Sequence, residues 1–133
     1  TGKVYYDLLE KQQVDKRTDV AIVRVEQLYP TPVHQILKVK AKYAKAKEFI
    51  WVQEEPENMG GWPYICRKFH NDKVVKLDII SRIEGSSTAT GYAKQHAAQQ
   101  LYIINKAFET IGSKAVKATI DKTTKKMAEA GAD

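Results

Sequence analysis

Val20-Ala21-Ile22-Val23-Arg24-Val25-Glu26 is nearly continuous in apolar, β-branched residues. A strand with one wet face alternates apolar and polar side chains, whereas a run like this one suits a parallel sheet covered on both faces. Phe49-Ile50-Trp51-Val52-Gln53 repeats the pattern, and Val74 to Ile83 is longer and accommodates one strand or two. Helical spacing fills the gaps. Val4, Leu8 and Leu9 precede the first run, and Val33, Ile36, Leu37, Val39 and Tyr43 separate the first from the second. Thr31 before Pro32 reads as an N-cap and a first-turn proline, which starts that helix near residue 32. Ile65 and Phe69, four apart, give Trp62 to Phe69 helical potential, and Ala93, Ala97, Leu101, Ile104 and Phe108 mark one stripe of a strong amphipathic helix. Strands alternating with helices predict an α/β domain: three layers, a mostly parallel sheet with helices on both faces, and right-handed crossovers.

The chain's 133 residues suit one domain, and 43% hydrophobic with 29% charged residues is too apolar for a disordered tail and too polar for a membrane protein. Thr1 to Asp7 lacks the pattern of a signal peptide, and no apolar run approaches the roughly 18 residues of a spanning helix. Cys66 is the single cysteine, so neither an intramolecular disulfide nor a cysteine metal knuckle is available. The domain is assigned to residues 1–110. Residues 111–133 form a Lys/Ala/Thr-rich tail, a marginal helix or a disordered extension, with Ser113 as a cap. The formal charge of +6 is regional, concentrated in Lys38 to Lys47 and Lys114 to Lys126. Lys38, Lys42 and Lys45 share one face of any helix, a solvated surface or a patch for a polyanion or acidic partner.

Ligands of an open α/β sheet bind beyond the carboxyl ends of its strands. That rule selects Glu26, Gln27 and Tyr29 after the first run, Gln53, Glu54 and Glu55 after the second, and Arg82, Glu84, Ser86, Ser87 and Thr88 after the third. Backbone N–H groups behind Gly2 and Lys3 are able to receive an anion, although capping and mutual pairing explain the same residues. Glu54 and Glu55 are adjacent carboxylates, but neighbours at a strand exit point in different directions. His34, His70 and His96 are too widely spaced for a metal site; His96 reads as a packing histidine at the border of the apolar stripe, and Cys66 as a small buried hydrophobe. No glycine-rich nucleotide loop or nucleophile elbow is present, so the chain carries neither a catalytic residue nor a metal ligand of its own.

Three strings, Thr1-Gly2-Lys3-Val4-Tyr5-Tyr6-Asp7-Leu8, Asp19 to Pro30 with its Glu26-Gln27-Leu28-Tyr29-Pro30 turn, and Trp51-Val52-Gln53-Glu54-Glu55-Pro56-Glu57-Asn58-Met59-Gly60-Gly61-Trp62, occur in one order. Together with Ser87-x-Ala89-x-Gly91 and His96 they closely resemble the C-terminal domain of the thiamin-diphosphate-dependent 2-oxoglutarate dehydrogenase decarboxylase component, over about residues 1 to 110. The resemblance implies a transketolase C-terminal-like fold, with a further strand before the Thr-Gly-Lys string. It also implies an oxidoreductase of the tricarboxylic acid cycle in which thiamin diphosphate and Mg are held by two preceding domains, with no cofactor in this one. The partners implied are those domains, a second copy in a homodimer, and the dihydrolipoyl succinyltransferase component whose lipoyl arm takes the succinyl group. Neither membrane nor nucleic acid is an expected partner. The location is cytoplasmic in a bacterium, or the mitochondrial matrix in a eukaryote. The isolated domain is expected to be catalytically silent. Nucleotide-type effectors bind near this domain in the family, and the matching rim positions are Lys3, Arg24, Gln53, Arg82 and Ser87.

Overall fold

The computed structural model describes residues 1–109. Four helices and two strands follow in the order α1 (Val4–Val14), α2 (Val33–Lys42), β1 (Ile50–Pro56), α3 (Trp62–Asn71), β2 (Asp78–Arg82) and α4 (Ala93–Lys106). The expected extension over 111–133, Ser113 included, lies outside the described residues.

β1 and β2 pair in parallel, as two runs separated by a helix must when the crossover packs on the sheet. Alternation along the strands divides the apolar residues between two cores. Ile50, Val52 and Ile80 face Val4 and Leu8 of α1 and Ile103 and Phe108 at the end of α4. Trp51 and Ile79 face Ile65 and Phe69 of α3, with Val33 and Ile36 of α2 behind them. Helices therefore cover both faces of a parallel sheet, the α/β layering that the apolar runs predict.

The Val20–Glu26 run departs from its predicted form. It does contribute to the sheet's layer, because Val20 and Ile22 pack into the first core and Val25 and Leu28 into the second. Its backbone, however, joins no ladder. Its side chains and one carbonyl are tied elsewhere: Gln12 Nε2 donates to the Val20 carbonyl at 2.7 Å, and Arg24 donates to Tyr6 and Glu26. An apolar cavity of about 540 Å³ separates the run from Ile50–Val52, so the outer edge of β1 is unpaired there.

Four local expectations also change. The hydroxyl of Thr31 donates to the Leu28 carbonyl instead of capping α2, which begins after Pro32. α2 ends at Lys42, so Lys45 lies beyond the helix face assigned to it. Cys66 is exposed, because α3 buries Ile65 and Phe69 and the residue one step on turns outward. On α4 the buried residue is Ile103, and Phe108 is buried just past the helix end, while Leu101, at the centre of the predicted stripe, is 60% exposed. Only the C-terminal half of α4 enters the core.

Candidate functional site

At the carboxyl end of the sheet the ladder is interrupted. Between the pairs Val52↔Ile80 and Pro56↔Arg82, β1 advances four residues while β2 advances two. The surplus backbone forms a bulge, a device that redirects side chains beside a site. Gln53 is turned inward by it and is only 3% exposed. Its Oε1 accepts from Trp51 Nε1 at 2.9 Å and from the Trp62 backbone N–H at 3.0 Å. Its Nε2 donates to the carbonyls of Pro56 at 3.0 Å and Met59 at 2.8 Å. One amide thus uses two acceptor and two donor positions, its whole capacity, to fold the following loop around itself. Gly60 closes that loop at φ +67°, and a Cβ there would lie 3.1 Å from Glu55 and 3.2 Å from Gln53 Oε1.

The end of β2 is organised differently. Arg82 is 8% exposed, and its Nη2 donates to His96 Nδ1 at 3.1 Å, across to the first turn of α4. Arginine only donates, so this geometry requires Nδ1 to accept and puts the ring proton of a neutral His96 on Nε2. His96 is accordingly an exposed hydrogen-bonding residue and not the packing residue expected at the stripe's border. Arg82 Nε is buried without a partner, as are Thr90 Oγ1, Gln99 Oε1 and Gln100 Oε1. One turn beyond His96, Gln100 Nε2 donates to Asp7 Oδ2 at 2.9 Å and to Glu54 Oε1 at 2.7 Å. Burial raises the Asp7 pKa, but the hydrogen bonds from Lys3 and Gln100 outweigh it and hold the carboxyl below its ordinary range.

Of the other rim positions, Lys3 is exposed and paired with Asp7 at 2.8 Å. Arg24 lies over the rings of Tyr5 and Tyr6, 5.0 and 5.1 Å from their centroids, and pairs with Glu26. The hydroxyl of Ser87 accepts from the Ala89 N–H at 3.3 Å in the loop after β2. The five predicted positions consequently divide. Lys3 and Arg24 flank α1, Gln53 is internal, and Arg82 and Ser87 belong to the β2–α4 connection; no hydrogen bond joins two of the five among the described residues.

The family described as 2-oxoglutarate dehydrogenase C-terminal matches residues 1–108. The chain belongs to this family. Curated relatives agree. It is 42% identical to a 2-oxoglutarate dehydrogenase E1 component of Azotobacter vinelandii, over 81% of this chain and 12% of the relative. It is 41% identical to an E1/E2 component of Corynebacterium glutamicum, over 82% of this chain and 9% of the relative, and 40% identical to an E1 component of Haemophilus influenzae, over 80% and 12%. The chain thus spans about a tenth of the length of these relatives.

No group of three His, Cys, Asp or Glu side chains converges among the described residues. The carboxylates at the rim, Asp7 and Glu54, are already occupied by Gln100 and Lys3. Sequence reasoning missed His96, Thr90 and Gln100 as rim residues. The spacing of His96 and Gln100, one helical turn apart, is the signal that places both on the face of α4 that crosses the strand ends.

Proposed function

We propose that this chain serves as the non-catalytic C-terminal domain of a 2-oxoglutarate dehydrogenase E1 decarboxylase, supporting the dimer of the full enzyme and offering a rim for an effector. The observation that carries this reading is the family match over residues 1–108. In the full enzyme, oxidative decarboxylation of 2-oxoglutarate and succinyl transfer to lipoyl belong to the assembled subunit. There thiamin diphosphate and Mg are held by preceding domains, and the dihydrolipoyl succinyltransferase component is the acceptor. The setting is the tricarboxylic acid cycle of a bacterial cytoplasm or a mitochondrial matrix. Exposed Tyr92, Leu101 and Tyr102 on α4 support a contact role, since they place apolar area outside both cores. The effector positions are Lys3, Arg24, Arg82 and Ser87, with Gln53 acting through the loop it holds.

The test is turnover by the purified chain supplied with 2-oxoglutarate, thiamin diphosphate, Mg²⁺ and an electron acceptor. None is expected, and activity above background overturns the non-catalytic assignment. A second reading, a free-standing basic module for a polyanion or acidic partner, is favoured by the exposed Lys38, Lys42, Lys45 and Lys47, which form no ion pair among the described residues. Salt separates the two, because phosphate-backbone binding weakens steeply with added salt and apolar subunit contacts do not.

A further inference from the structure

α4 is held to the rest of the domain unevenly. Its C-terminal end is anchored by packing, because Ile103 is fully buried and Phe108 is buried just past the helix. Residues 93–98 are all exposed, and no side chain of the helix is buried before Ile103. Two polar ties seat this half on the strand ends. Arg82 Nη2 donates to His96 Nδ1 at 3.1 Å, and one turn on, Gln100 Nε2 donates to Asp7 and Glu54. Polar atoms beside them are left over, since Thr90 Oγ1, Gln99 Oε1 and Gln100 Oε1 are buried with no partner among the described residues. A segment with little apolar burial and unpaired polar groups opens at low free-energy cost, so single ties decide where it rests.

The Arg82 tie depends on protonation. A guanidinium only donates, so its bond needs the lone pair at Nδ1 of a neutral His96 ring, the position that a second proton takes. Histidine ordinarily titrates at about pH 6.5. Losing the acceptor does not require long-range repulsion, which water and salt screen at an exposed ring. The loss leaves the Arg82 side chain, 8% exposed and already unpaired at Nε, with no hydrogen bond among the described residues, a condition that water relieves once the helix lifts.

Charges of both signs surround the ring. β2 presents Arg82, and Lys94 and the electropositive start of α4 add to it; all three favour the neutral ring. From β1 comes Glu54, and from α1 come Asp7 and Lys3, at the level of Gln100 one turn further along. Those carboxylates are committed to Gln100 and, for Asp7, to Lys3 as well, whereas Arg82 touches the ring itself. The second tie also outlasts the first, because Asp7 is held below its ordinary range and stays charged in mild acid.

We propose that the Arg82–His96 bond is an acid-opened latch on the N-terminal half of α4: protonation of His96 releases that half from the end of β2, while Gln100 and Ile103 keep the remainder in place. The closed form binds the His96 proton less readily than the open form, so the latch is shut above the histidine range and opens as pH falls through it. It depends on neither the contact role nor the effector role proposed for the domain.

The test is amide hydrogen exchange of the 133-residue chain at about pH 7.5 and about pH 5, each rate divided by that of an unstructured peptide at the same pH. Protection at His96, Ala97 and Ala98 should fall about threefold to tenfold in acid, the worth of one hydrogen bond, while Ile103 stays unchanged. His96→Asn keeps an acceptor oxygen near the place of Nδ1 and has nothing to titrate, so its protection should be the same at both pH values. Arg82→Met removes the donor and should show the low, acid-like protection at both. Equal protection of the unsubstituted chain at the two pH values, a fall of equal size at Ile103, or an undiminished fall in His96→Asn overturns the latch. If Arg82→Met fails to fold, His96→Asn decides.

Discussion

Two buried polar side chains at neighbouring strand ends have opposite fates. Gln53, at the bulge of β1, satisfies every donor and acceptor it has with Trp51 and the loop that follows, while Arg82, the last residue of β2, makes one bond to His96 and leaves Nε unpaired. Burial and position at a rim therefore do not identify a ligand group. What differs is unspent hydrogen-bonding capacity: a saturated amide has nothing to offer a ligand without dismantling its loop, whereas Arg82 keeps one donor free of any partner among the described residues. The contrast predicts effects of different size. Gln53→Leu strands two donors and two acceptors in a buried place and should cost about 3–5 kcal/mol by denaturant unfolding. Arg82→Met replaces a buried charge that lacks a carboxylate partner among the described residues with an apolar side chain of similar length and should fall within about 1 kcal/mol of the unsubstituted chain. A comparable loss at both positions would break the comparison.

Gly60 sharpens the Gln53 half of it. The loop can wrap the amide only if the backbone adopts φ +67° and passes close to Glu55. Gly60→Ala should cost about 1–2 kcal/mol, the left-handed backbone penalty plus a tight contact. Gly61 gives the independent measure of closeness, since a Cβ there would meet the Trp51 ring at 3.0 Å.

Much of the architecture was legible from the residues. β-branched runs placed β1 and β2, and four-residue spacing placed α1, α3 and α4, because those signals report burial directly. The face of α4 was not legible. Hydropathy marks Leu101 as apolar without saying whether this domain or a neighbour covers it. The Val20–Glu26 run shows the same limit for strands: its side chains reach both cores as a central strand's would, but pairing depends on backbone approach, which side-chain hydropathy does not report. At the rim, Gln53 and Arg82 were both selected by position. Their difference depends on partners far away in sequence, Trp62 for one and His96 for the other, which strand-end rules cannot supply.

The two loops are clasped to each other by Asn58, whose Nδ2 donates to the Gly85 carbonyl at 3.0 Å and whose Oδ1 accepts from the Gly85 N–H at 3.2 Å. Both bonds are exposed to water, so exchange with solvent reduces their net worth. Asn58→Ala should cost only about 0.5–1.5 kcal/mol. The same substitution should leave the Trp62 amide protected from hydrogen exchange while the Gly85 amide loses protection. Equal loss at both would mean that the Gln53 loop depends on its neighbour and does not stand alone.

The smallest effect concerns a second arginine, which is everything Arg82 is not. Arg17 donates through Nε and Nη2 to both carboxylate oxygens of Asp19, at 2.7 Å each, and through Nη1 to the Phe108 carbonyl at 2.8 Å. The bonds from Arg17 lower the Asp19 pKa from its ordinary 3.8 to about 2. A depressed carboxylate pKa means the folded state binds this proton less readily than the unfolded chain, so the pair's contribution is complete above about pH 4 and is lost as pH falls toward 2. Solvent screening keeps that contribution small. Comparing Asp19→Asn with the unsubstituted chain, the stability gap should close between pH 4 and pH 2. Over the same interval Arg82→Met should track the unsubstituted chain, because Arg82 has no carboxylate partner to protonate among the described residues. A gap for Arg82→Met that is present at neutral pH and closes over this acid interval, as for Asp19→Asn, would reveal a carboxylate bound to that guanidinium, and the contrast between the two arginines would fail.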